Sequence, residues 1–426
     1  MGSSDRQAKD VRKRRVFYIP GYDPIHPRRY RELYRKEGAE QAAISGYELT
    51  LAPKRGDGPY GWHVQAEVGG ATVNTDVEVM VWSDIVRNSM SNTILATYGQ
   101  LLRTAWAYIG SGALWRLMKL RKGPVIAALY PVGMLLLQLA LALGLGHLAG
   151  LVLQVLAGLA PLPGDGGPQS GVRVVMENAV YLVALVGVAL AVLRWFKARD
   201  NKLFAYYLMH DYAYSARWKG ATPPELQARM NAFRARIASA LQQGDLDEVL
   251  VVGHSSGAHL GVMVLADLIR AGELPDDGPA LGFLSLGQVV PMVSFLPDAW
   301  QLRRDLAYLS RSDRLTWVDV TAPGDGCAFA LCDPVAVSGV SPHDKRWPLV
   351  FSAAFSQTLG PQRWRALKRR YFRLHFQYLC AFDRPKDYDY FLITAGPLRL
   401  SRRYAGRPAS KSRIERAVSK YTSVAA

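Results

Sequence analysis

The residues of this chain best suited to chemistry are those of the pentapeptide GHSSG at positions 253–257. A short apolar run at 249–252 precedes it, and residues 258–269 follow with apolar side chains at helical spacing. A G-x-S-x-G turn between a strand and a helix exposes its serine hydroxyl, and the start of the helix directs backbone N–H groups at a developing oxyanion. We therefore predict that Ser255 is a nucleophile for attack on a carbonyl, with an ordinary strand–helix turn as the alternative.

The segments that must position Ser255 alternate between helix and strand patterns. Residues 223–243 have the apolar spacing of an amphipathic helix, so the order around Ser255 is helix, strand, turn, helix. This order is typical of a right-handed crossover, which predicts a parallel sheet here. Further patterns predict a buried strand at 15–24, a helix from 27 to at least 38, a hairpin of strands 62–68 and 77–82 joined through Gly69 and Gly70, and strands at 281–290 and 315–320.

Taken together, these segments resemble the α/β-hydrolase superfamily over residues 15–86 and 245–395. The resemblance rests on GHSSG in its strand–helix setting and on FYIPGY at 17–22, which is similar to the family's strand-then-glycine segment. It implies a mostly parallel sheet flanked by helices, with an oxyanion hole formed by the backbone N–H groups of Tyr22 and Ser256. Two departures stand out. The family's usual His-Gly pair is replaced by Pro20-Gly21, and little chain precedes this strand.

The resemblance also implies an acidic residue that follows the serine in the chain and lies just past a strand. Asp325 fits this role, because the turn APGDG at 322–326 comes directly after the predicted strand at 315–320. Its carboxylate would accept the imidazole N–H of the catalytic histidine and stabilise the imidazolium. Asp319 and Asp333 remain alternatives for the acid.

The histidine that this order requires must follow the acid, and two histidines do so. His375 lies in residues 371–378, whose alternating pattern we interpret as the last strand of the sheet. His343 lies in what we expect to be a surface turn and remains the alternative. In the mechanism that the resemblance implies, His375 takes the proton of Ser255 as the hydroxyl attacks, and water later releases the acyl group.

Two apolar runs interrupt the hydrolase-like segments. Residues 125–162 and 174–196 are almost wholly apolar, and a Gly- and Pro-rich loop at 161–170 separates them. Because about 20 residues cross a bilayer core, the second run predicts one membrane span. The first, at about 38 residues, is long enough for one tilted span or two short ones. We favour two spans, at about 125–155 and 174–196, over three. A buried helical hairpin in a soluble protein is the alternative.

The charges around these runs predict an orientation. Lys and Arg residues flank them on their outer sides: Arg116, Lys119, Arg121 and Lys122 before the first run, and Arg194, Lys197, Arg199 and Lys202 after the second. By the positive-inside rule both outer flanks face the cytoplasm. An even number of crossings also keeps the two halves of one catalytic domain on the same side, so we expect that domain to face the cytoplasm.

The formal net charge of +17 favours a partner of negative charge. The Lys and Arg residues gather beside the apolar runs and at both ends of the sequence, which favours anionic lipid headgroups over nucleic acid. We expect no nucleic-acid partner. Three cysteines are too few for a disulfide framework, and Cys327 and Cys332 lack a second pair for zinc, so we expect no metal and no cofactor.

The resulting hypothesis is a membrane-anchored serine hydrolase that cleaves a carboxylic ester of a lipid or of another acyl compound dissolved in the bilayer. An acyl thioesterase and a catalytically inactive hydrolase-fold scaffold are the alternatives. The sequence specifies neither the acyl chain, the headgroup nor the oligomeric state. We predict a basic tail at 1–14, a first hydrolase-like part at 15–120, a membrane insertion at 121–202, a second hydrolase-like part at 203–398, and a basic tail at 399–426 that is solvated or lies on anionic lipid.

Overall fold

The computed structural model describes residues 11–54, 58–90, 93–159 and 171–426, and within these it contains one eight-stranded sheet. The strands, in chain order, are β1 (Lys13–Ile19), β2 (Glu48–Pro53), β3 (Gly61–Val68), β4 (Ala71–Val79), β5 (Glu248–His254), β6 (Ala280–Leu286), β7 (Thr316–Thr321) and β8 (Leu349–Ser352). Across the sheet they follow the order β2-β3-β4-β1-β5-β6-β7-β8.

The described residues also form α-helices before, between and after the strands. The first eight are α1 (Arg28–Ser45), α2 (Ser83–Ser89), α3 (Ile94–Gly110), α4 (Ala113–Leu120), α5 (Lys122–Leu159), α6 (Gly171–Lys197), α7 (Asp200–Leu203) and α8 (Ala205–Arg217). The others are α9 (Pro224–Leu241), α10 (Gly257–Arg270), α11 (Val290–Ser294), α12 (Trp300–Arg311), α13 (Pro334–Val337), α14 (Phe355–Thr358), α15 (Pro361–Leu367), α16 (Tyr371–His375), α17 (Tyr390–Ala395) and α18 (Leu400–Arg403). A 3-10 helix covers Phe376–Leu379.

The chain divides into two compact units. The first comprises Met1–Ser89, Trp106–Ala127 and Ser215–Ala426, and it contains the whole sheet. The second comprises Met90–Ala105 and Ala128–Tyr214, and the elements among its described residues are all helices.

The sheet of the first unit is mostly parallel, as the sequence predicts. Strand β1 pairs in parallel with β4 on one side and β5 on the other, and β5 to β8 continue in parallel. Only the β2–β3 and β3–β4 pairs are antiparallel, so β3 alone runs against the other strands. All seven residues of β5 are buried, which is the burial of a central parallel strand covered on both faces. The predicted hairpin through Gly69 and Gly70 is confirmed as β3 and β4.

Helices cover both faces of this sheet. Successive residues of a strand point to opposite faces, and β6 shows what each face meets. Phe283 packs against Gly261 of α10, whereas Gly282 faces Leu400 of α18. The predicted amphipathic helix is confirmed as α9, whose buried residues are Leu226, Met230, Phe233, Ile237, Ala240 and Leu241.

The order of the strands brings two carboxyl ends together at the centre of the sheet. Ile19 at the end of β1 is in register with Gly253 of β5. From β1 the chain goes on to strands on one side of it, and from β5 it goes on to β6 on the other side. Such a reversal opens a crevice beyond the strand ends, where open α/β sheets bind their ligands.

The described residues of each apolar run form one helix. Helix α5 has 38 residues and α6 has 27, and both are long and apolar enough to cross a membrane by length and composition. Within the second unit they pack closely at two glycines. A Cβ on Gly146 would lie 2.5 Å from the Leu185 carbonyl oxygen, and one on Gly150 would lie 2.6 Å from the Tyr181 ring. Small residues four apart allow such contact between apolar helices. The predicted loop at 161–170 lies outside the described residues.

Residues 371–378 do not form the last strand, so that prediction is wrong. They form α16 and the start of the 3-10 helix, and the last strand is β8. In the sequence, apolar residues at 372, 374, 376 and 378 alternate with polar ones, which favours a strand. In the structure the buried residues Leu374, His375, Gln377 and Tyr378 instead have the spacing of helical turns. Strand β8 has only four residues, so it offers too short a pattern to be recognised.

The C-terminal residues, which the sequence predicts to be a tail that is solvated or lies on anionic lipid, are held by main-chain hydrogen bonds. Their backbone is hydrogen-bonded to the first unit: Ser410 N–H donates to Val350 O at 2.9 Å, and Val418 N–H donates to Val337 O at 3.0 Å. Most of the side chains between 405 and 426 remain exposed or half-buried. The segment is therefore attached through its main chain, which the composition of its side chains does not indicate.

Asp319 makes the stability of this unit depend on pH. It lies buried in β7, where Oδ2 accepts a hydrogen bond from Ser285 Oγ at 2.7 Å and Oδ1 has no partner among the described residues. Burial raises the pKa of Asp319 to about 8, and the bond from Ser285 only partly opposes this. The folded protein therefore keeps a proton that the unfolded chain releases near pH ~3.9.

We predict that the contribution of Asp319 to the free energy of unfolding is greatest below pH ~4 and is lost as the pH rises to about 8, by an amount on the order of a few kcal/mol. Asp319→Asn removes the titration, so its unfolding free energy should change less between pH 5 and pH 9. Denaturant unfolding in detergent at several pH values measures this, with the exposed Asp313→Asn as the control. If the free energy of unfolding fell equally with pH in the wild type and in Asp319→Asn, the prediction would be contradicted.

Candidate active site

Ser255 lies in a strained turn between β5 and α10. Its φ angle is 58°, a left-handed value that is uncommon for a residue with a side chain. The backbone holds it there, since Ser255 N–H donates to the Leu286 carbonyl at the end of β6, at 2.9 Å. The side chain is half-buried, and Ser256 is the N-cap residue of α10. This is the geometry expected of an exposed nucleophile at a strand–helix turn.

Two glycines allow the end of β1 to approach this turn. A Cβ on Gly257 would lie 2.1 Å from the Ile19 carbonyl oxygen, closer than any real contact permits. A Cβ on Gly21 would lie 3.0 Å from Ser255 Cβ and 3.4 Å from Ser255 Oγ. The loop after β1 therefore runs directly beside the serine hydroxyl.

That loop is fixed by its neighbours. Trp82 Nε1 donates to the Pro20 carbonyl at 3.0 Å, and the Tyr22 and Ser89 hydroxyls are 2.6 Å apart. Asp23 accepts a hydrogen bond from the Tyr30 hydroxyl at 2.7 Å. Tyr22 thus follows Gly21 on one side of Ser255, and Ser256 begins α10 on the other. A backbone N–H held without freedom to reorganise is what an oxyanion site requires.

Asp325 and His375 are hydrogen-bonded to each other. His375 Nδ1 lies 2.7 Å from Asp325 Oδ2, and both side chains are buried. The Tyr378 hydroxyl donates to the same oxygen at 3.0 Å, and Cys327 N–H donates to Oδ1 at 2.8 Å. Burial would raise the pKa of Asp325, but His375 and these donors together hold it below its ordinary value. The carboxylate is therefore ionised at neutral pH and orients the imidazole.

His254, the residue before Ser255, contacts both the main chain and the ring of His375. Its Nε2 lies 3.0 Å from the His375 carbonyl oxygen, and the two ring centroids are 4.8 Å apart. Burial, with a smaller effect of His375, lowers the pKa of His254 to about 3, so this ring is neutral and donates through Nε2. A residue of the serine turn thus positions the main chain of His375.

Among the described residues, the one hydrogen bond of the predicted site that is not formed is the bond between Ser255 and His375. Ser255 Oγ makes no hydrogen bond with any residue that the structure describes. His375 nevertheless points to the same strand ends, since a Cβ on Gly287, the residue after β6, would lie 3.1 Å from His375 Cε1. Catalytic hydrogen bonds are often long before substrate binds.

The alternative acids and the alternative histidine lie elsewhere. Asp319 is bonded to Ser285 inside the sheet. Asp333 caps α13 by accepting from Val335 N–H and Ala336 N–H, and it pairs with Lys345. His343 lies in an exposed turn. None of the three is hydrogen-bonded to another member of the predicted site among the described residues.

Tyr378 is the site residue that sequence analysis missed. Its hydroxyl donates to Asp325 and also accepts from Ala322 N–H at 2.9 Å, so it joins the end of β7 to the 3-10 helix. A tyrosine three positions after a candidate base is the only available signal. That signal has meaning only once residues 371–378 are known to be helical.

One group of side chains combines ligand types that a metal ion accepts. The ligand atoms of Asp325, Cys327 and His375 lie within 4.8 Å of one another, and no other group of three is found in the described ranges. These ligand types suit zinc. Because Asp325 Oδ2 and His375 Nδ1 already share a 2.7 Å hydrogen bond, we interpret the group as an acid–base pair with a neighbouring thiol.

Comparisons of the chain with protein-family models, with curated proteins and with solved structures gave no match. The resemblance to α/β-hydrolases therefore rests on the residues and on the geometry described above.

The close approach at Gly257 generates a stability prediction. In Gly257→Ala the new Cβ meets two backbone carbonyls, of Ile19 and Pro20, which cannot move aside as a side chain can. We expect the free energy of unfolding to fall by about 1–3 kcal/mol or more. Gly244→Ala is the control, since its Cβ would meet nothing within 4 Å, and it should change stability by less than about 0.5 kcal/mol. Equal stability of the two variants in denaturant unfolding would contradict the packing argument.

Proposed function

We propose that this protein is a membrane-anchored serine hydrolase that cleaves the carboxylic ester of a lipid or of another acyl compound dissolved in the bilayer. The observation that carries the proposal is the combination of Ser255 in a strained strand–helix turn with the buried Asp325–His375 pair near the same strand ends. The mostly parallel sheet and the crevice between β1 and β5 support an α/β-hydrolase-like fold.

In the proposed reaction, His375 accepts the proton of Ser255 as Oγ bonds to the carbonyl carbon of the ester. The N–H groups of Tyr22 and Ser256 stabilise the negative oxygen of the tetrahedral intermediate. When that intermediate collapses, His375 gives its proton to the leaving alcohol and the acyl group stays on Ser255. Water, deprotonated by His375, then attacks the acyl-enzyme and releases the carboxylic acid. Ionised Asp325 stabilises the imidazolium in both steps.

The membrane part of the proposal is supported by α5 and α6, which are long and apolar enough to span a bilayer. The Lys and Arg residues on their outer flanks favour a catalytic domain on the cytoplasmic side. A serine hydrolase attached to the bilayer has ready access to acyl compounds dissolved there, which is why we propose a lipid-like ester. Hydrolysis of an acyl thioester would use the same groups.

One observation favours a second candidate, a catalytically inactive scaffold. Among the described residues Ser255 Oγ is not bonded to His375, and a scaffold has no need of that bond. The two candidates differ in whether the serine is activated, which a covalent probe measures directly.

We predict that a fluorophosphonate probe labels the membrane-embedded wild type and that labelling is lost in Ser255→Ala and His375→Ala. Loss of a triad member lowers such reactions by roughly 10⁴-fold or more. The control is His343→Ala, which removes an exposed histidine and should label within about twofold of wild type. Asp325→Asn should label far more slowly, whereas Asp319→Asn, which is not bonded to His375, should label normally.

A folded wild type that stays unlabelled would reject the hydrolase and favour the scaffold. If labelling succeeds, kcat/KM for matched acyl esters and acyl thioesters decides between the two substrate classes.

Gly21→Ala tests separately the loop that bears Tyr22, one of the two proposed oxyanion donors. The new Cβ would press on Ser255 Cβ at 3.0 Å, so the loop bearing Tyr22 and the serine must separate by a few tenths of an ångström. We expect labelling to slow by at least about tenfold, because the donor and nucleophile positions are both displaced. Thermal unfolding should change much less than in Gly257→Ala. Normal labelling of Gly21→Ala would remove this loop from the proposed mechanism.

A further inference from the structure

The segment that carries His375 is strongly cationic. Between Asp344 and Asp383 the sequence contains no Asp or Glu. Five cations of this stretch are exposed and form no ion pair with any described acidic residue: Arg365, Lys368, Arg369, Arg370 and Arg373. Two aromatic side chains lie among them, with Tyr371 54% exposed and Phe372 38% exposed.

A second stretch without acidic residues leads into α5. No Asp or Glu occurs between Asp84 and Asp165. Lys119 on α4 and Lys122 at the start of α5 are exposed, and Trp115, one helical turn before Lys119, is 60% exposed.

These two stretches meet at the loop that carries the acid. A Cβ on Gly123 would lie 3.4 Å from the Gly326 carbonyl oxygen, and a Cβ on Gly326 would lie 2.8 Å from the Tyr371 ring. Gly326 directly follows Asp325. Arg121 strengthens the contact, because its Nε donates to the Ala330 carbonyl of the same loop at 2.9 Å. The loop that follows Asp325 therefore contacts both stretches, each of which carries exposed cations and an exposed aromatic ring.

We propose that this surface, made of Trp115, Lys119, Lys122 and residues 368–373, docks on anionic lipid headgroups. Clustered Lys and Arg residues are attracted to anionic leaflets, and exposed Trp and Tyr side chains favour the headgroup region. The surface is continuous with the first turn of α5, the first candidate span, which favours a lipid surface over a nucleic acid. It is distinct from the basic C-terminal segment, whose main chain is attached along the first unit.

The docking surface and the proposed reaction are coupled through one element. Residues 368–373 continue directly into His375, so headgroups bound to α16 restrain the base as well. If the proposed function is right, Ser255 should react faster in anionic than in neutral lipid. Only this consequence rests on the proposed function, and the docking surface itself does not.

The test is hydrogen–deuterium exchange of residues 361–376 in the full chain. Ser255→Ala protein is reconstituted in nanodiscs of phosphatidylcholine alone or with added phosphatidylglycerol, so that binding is measured without catalysis. We expect exchange to slow by at least about threefold in the anionic discs and to recover at high salt. The triple variant Lys368→Glu, Arg369→Glu, Arg370→Glu should abolish the difference.

The matched control reverses three exposed charges of the C-terminal segment, Lys411→Glu, Arg416→Glu and Lys420→Glu, and it should keep the difference. If the first triple variant unfolds at a lower temperature, Arg369→Gln with Arg370→Gln replaces it.

Equal exchange in neutral and anionic discs overturns the docking surface and leaves the hydrolase proposal intact. Slowed exchange in a protein whose wild type never labels overturns the hydrolase alone. Equal protection by a soluble oligonucleotide in neutral discs overturns the choice of lipid in favour of nucleic acid.

Discussion

The steric limit at the end of β1 is the constraint on which the candidate site depends. Gly257 and Gly21 leave room for backbone where any side chain would collide with a carbonyl or with Ser255. Because β1 and β5 are in register at Ile19 and Gly253, this contact lies where the strand order reverses. Ser255, with its strained φ, and Tyr22, which follows Gly21, both lie at this contact. The absence of side chains at Gly21 and Gly257 therefore determines which groups can face the crevice.

The buried carboxylate of Asp325 is the second organising feature. An ionised acid is unfavourable in a buried position unless donors surround it, and here His375, Tyr378 and the Cys327 N–H do so. Tyr378 has a double role, since its hydroxyl bonds both Asp325 and the Ala322 N–H. The acid loop and the segment of the base are thus one hydrogen-bonded body. His254, the residue before Ser255, is joined to the same body by its hydrogen bond to the His375 carbonyl.

Those parts of the fold that depend on local pattern could be predicted from the sequence, and those that depend on distant contacts could not. The turn at Ser255, helix α9 and the β3–β4 hairpin have strong periodicity or turn residues, and Asp325 follows a recognisable strand. Chain order selects His375, and the structure hydrogen-bonds this residue to Asp325. Its predicted strand is wrong, because the side chains that alternate in polarity at 371–378 lie on helical turns. Tyr378 and the attached C-terminal segment involve partners 56 and 60 or more residues away in the sequence, which no local pattern records.

The division of the sheet by the helical unit has a consequence for how the chain is made. Strands β1 to β4 leave the ribosome well before β5, because residues 90–214, which include the second unit and both apolar helices, are translated in between. Until β5 arrives, one edge of β1 has no partner, and an unpaired edge of a buried strand is prone to join another chain. At about 5–20 residues per second the gap between Val79 and Glu248 keeps that edge open for roughly ten seconds or more. The exposed edge of β1 must therefore be kept from pairing with other chains while the two apolar helices are being synthesised.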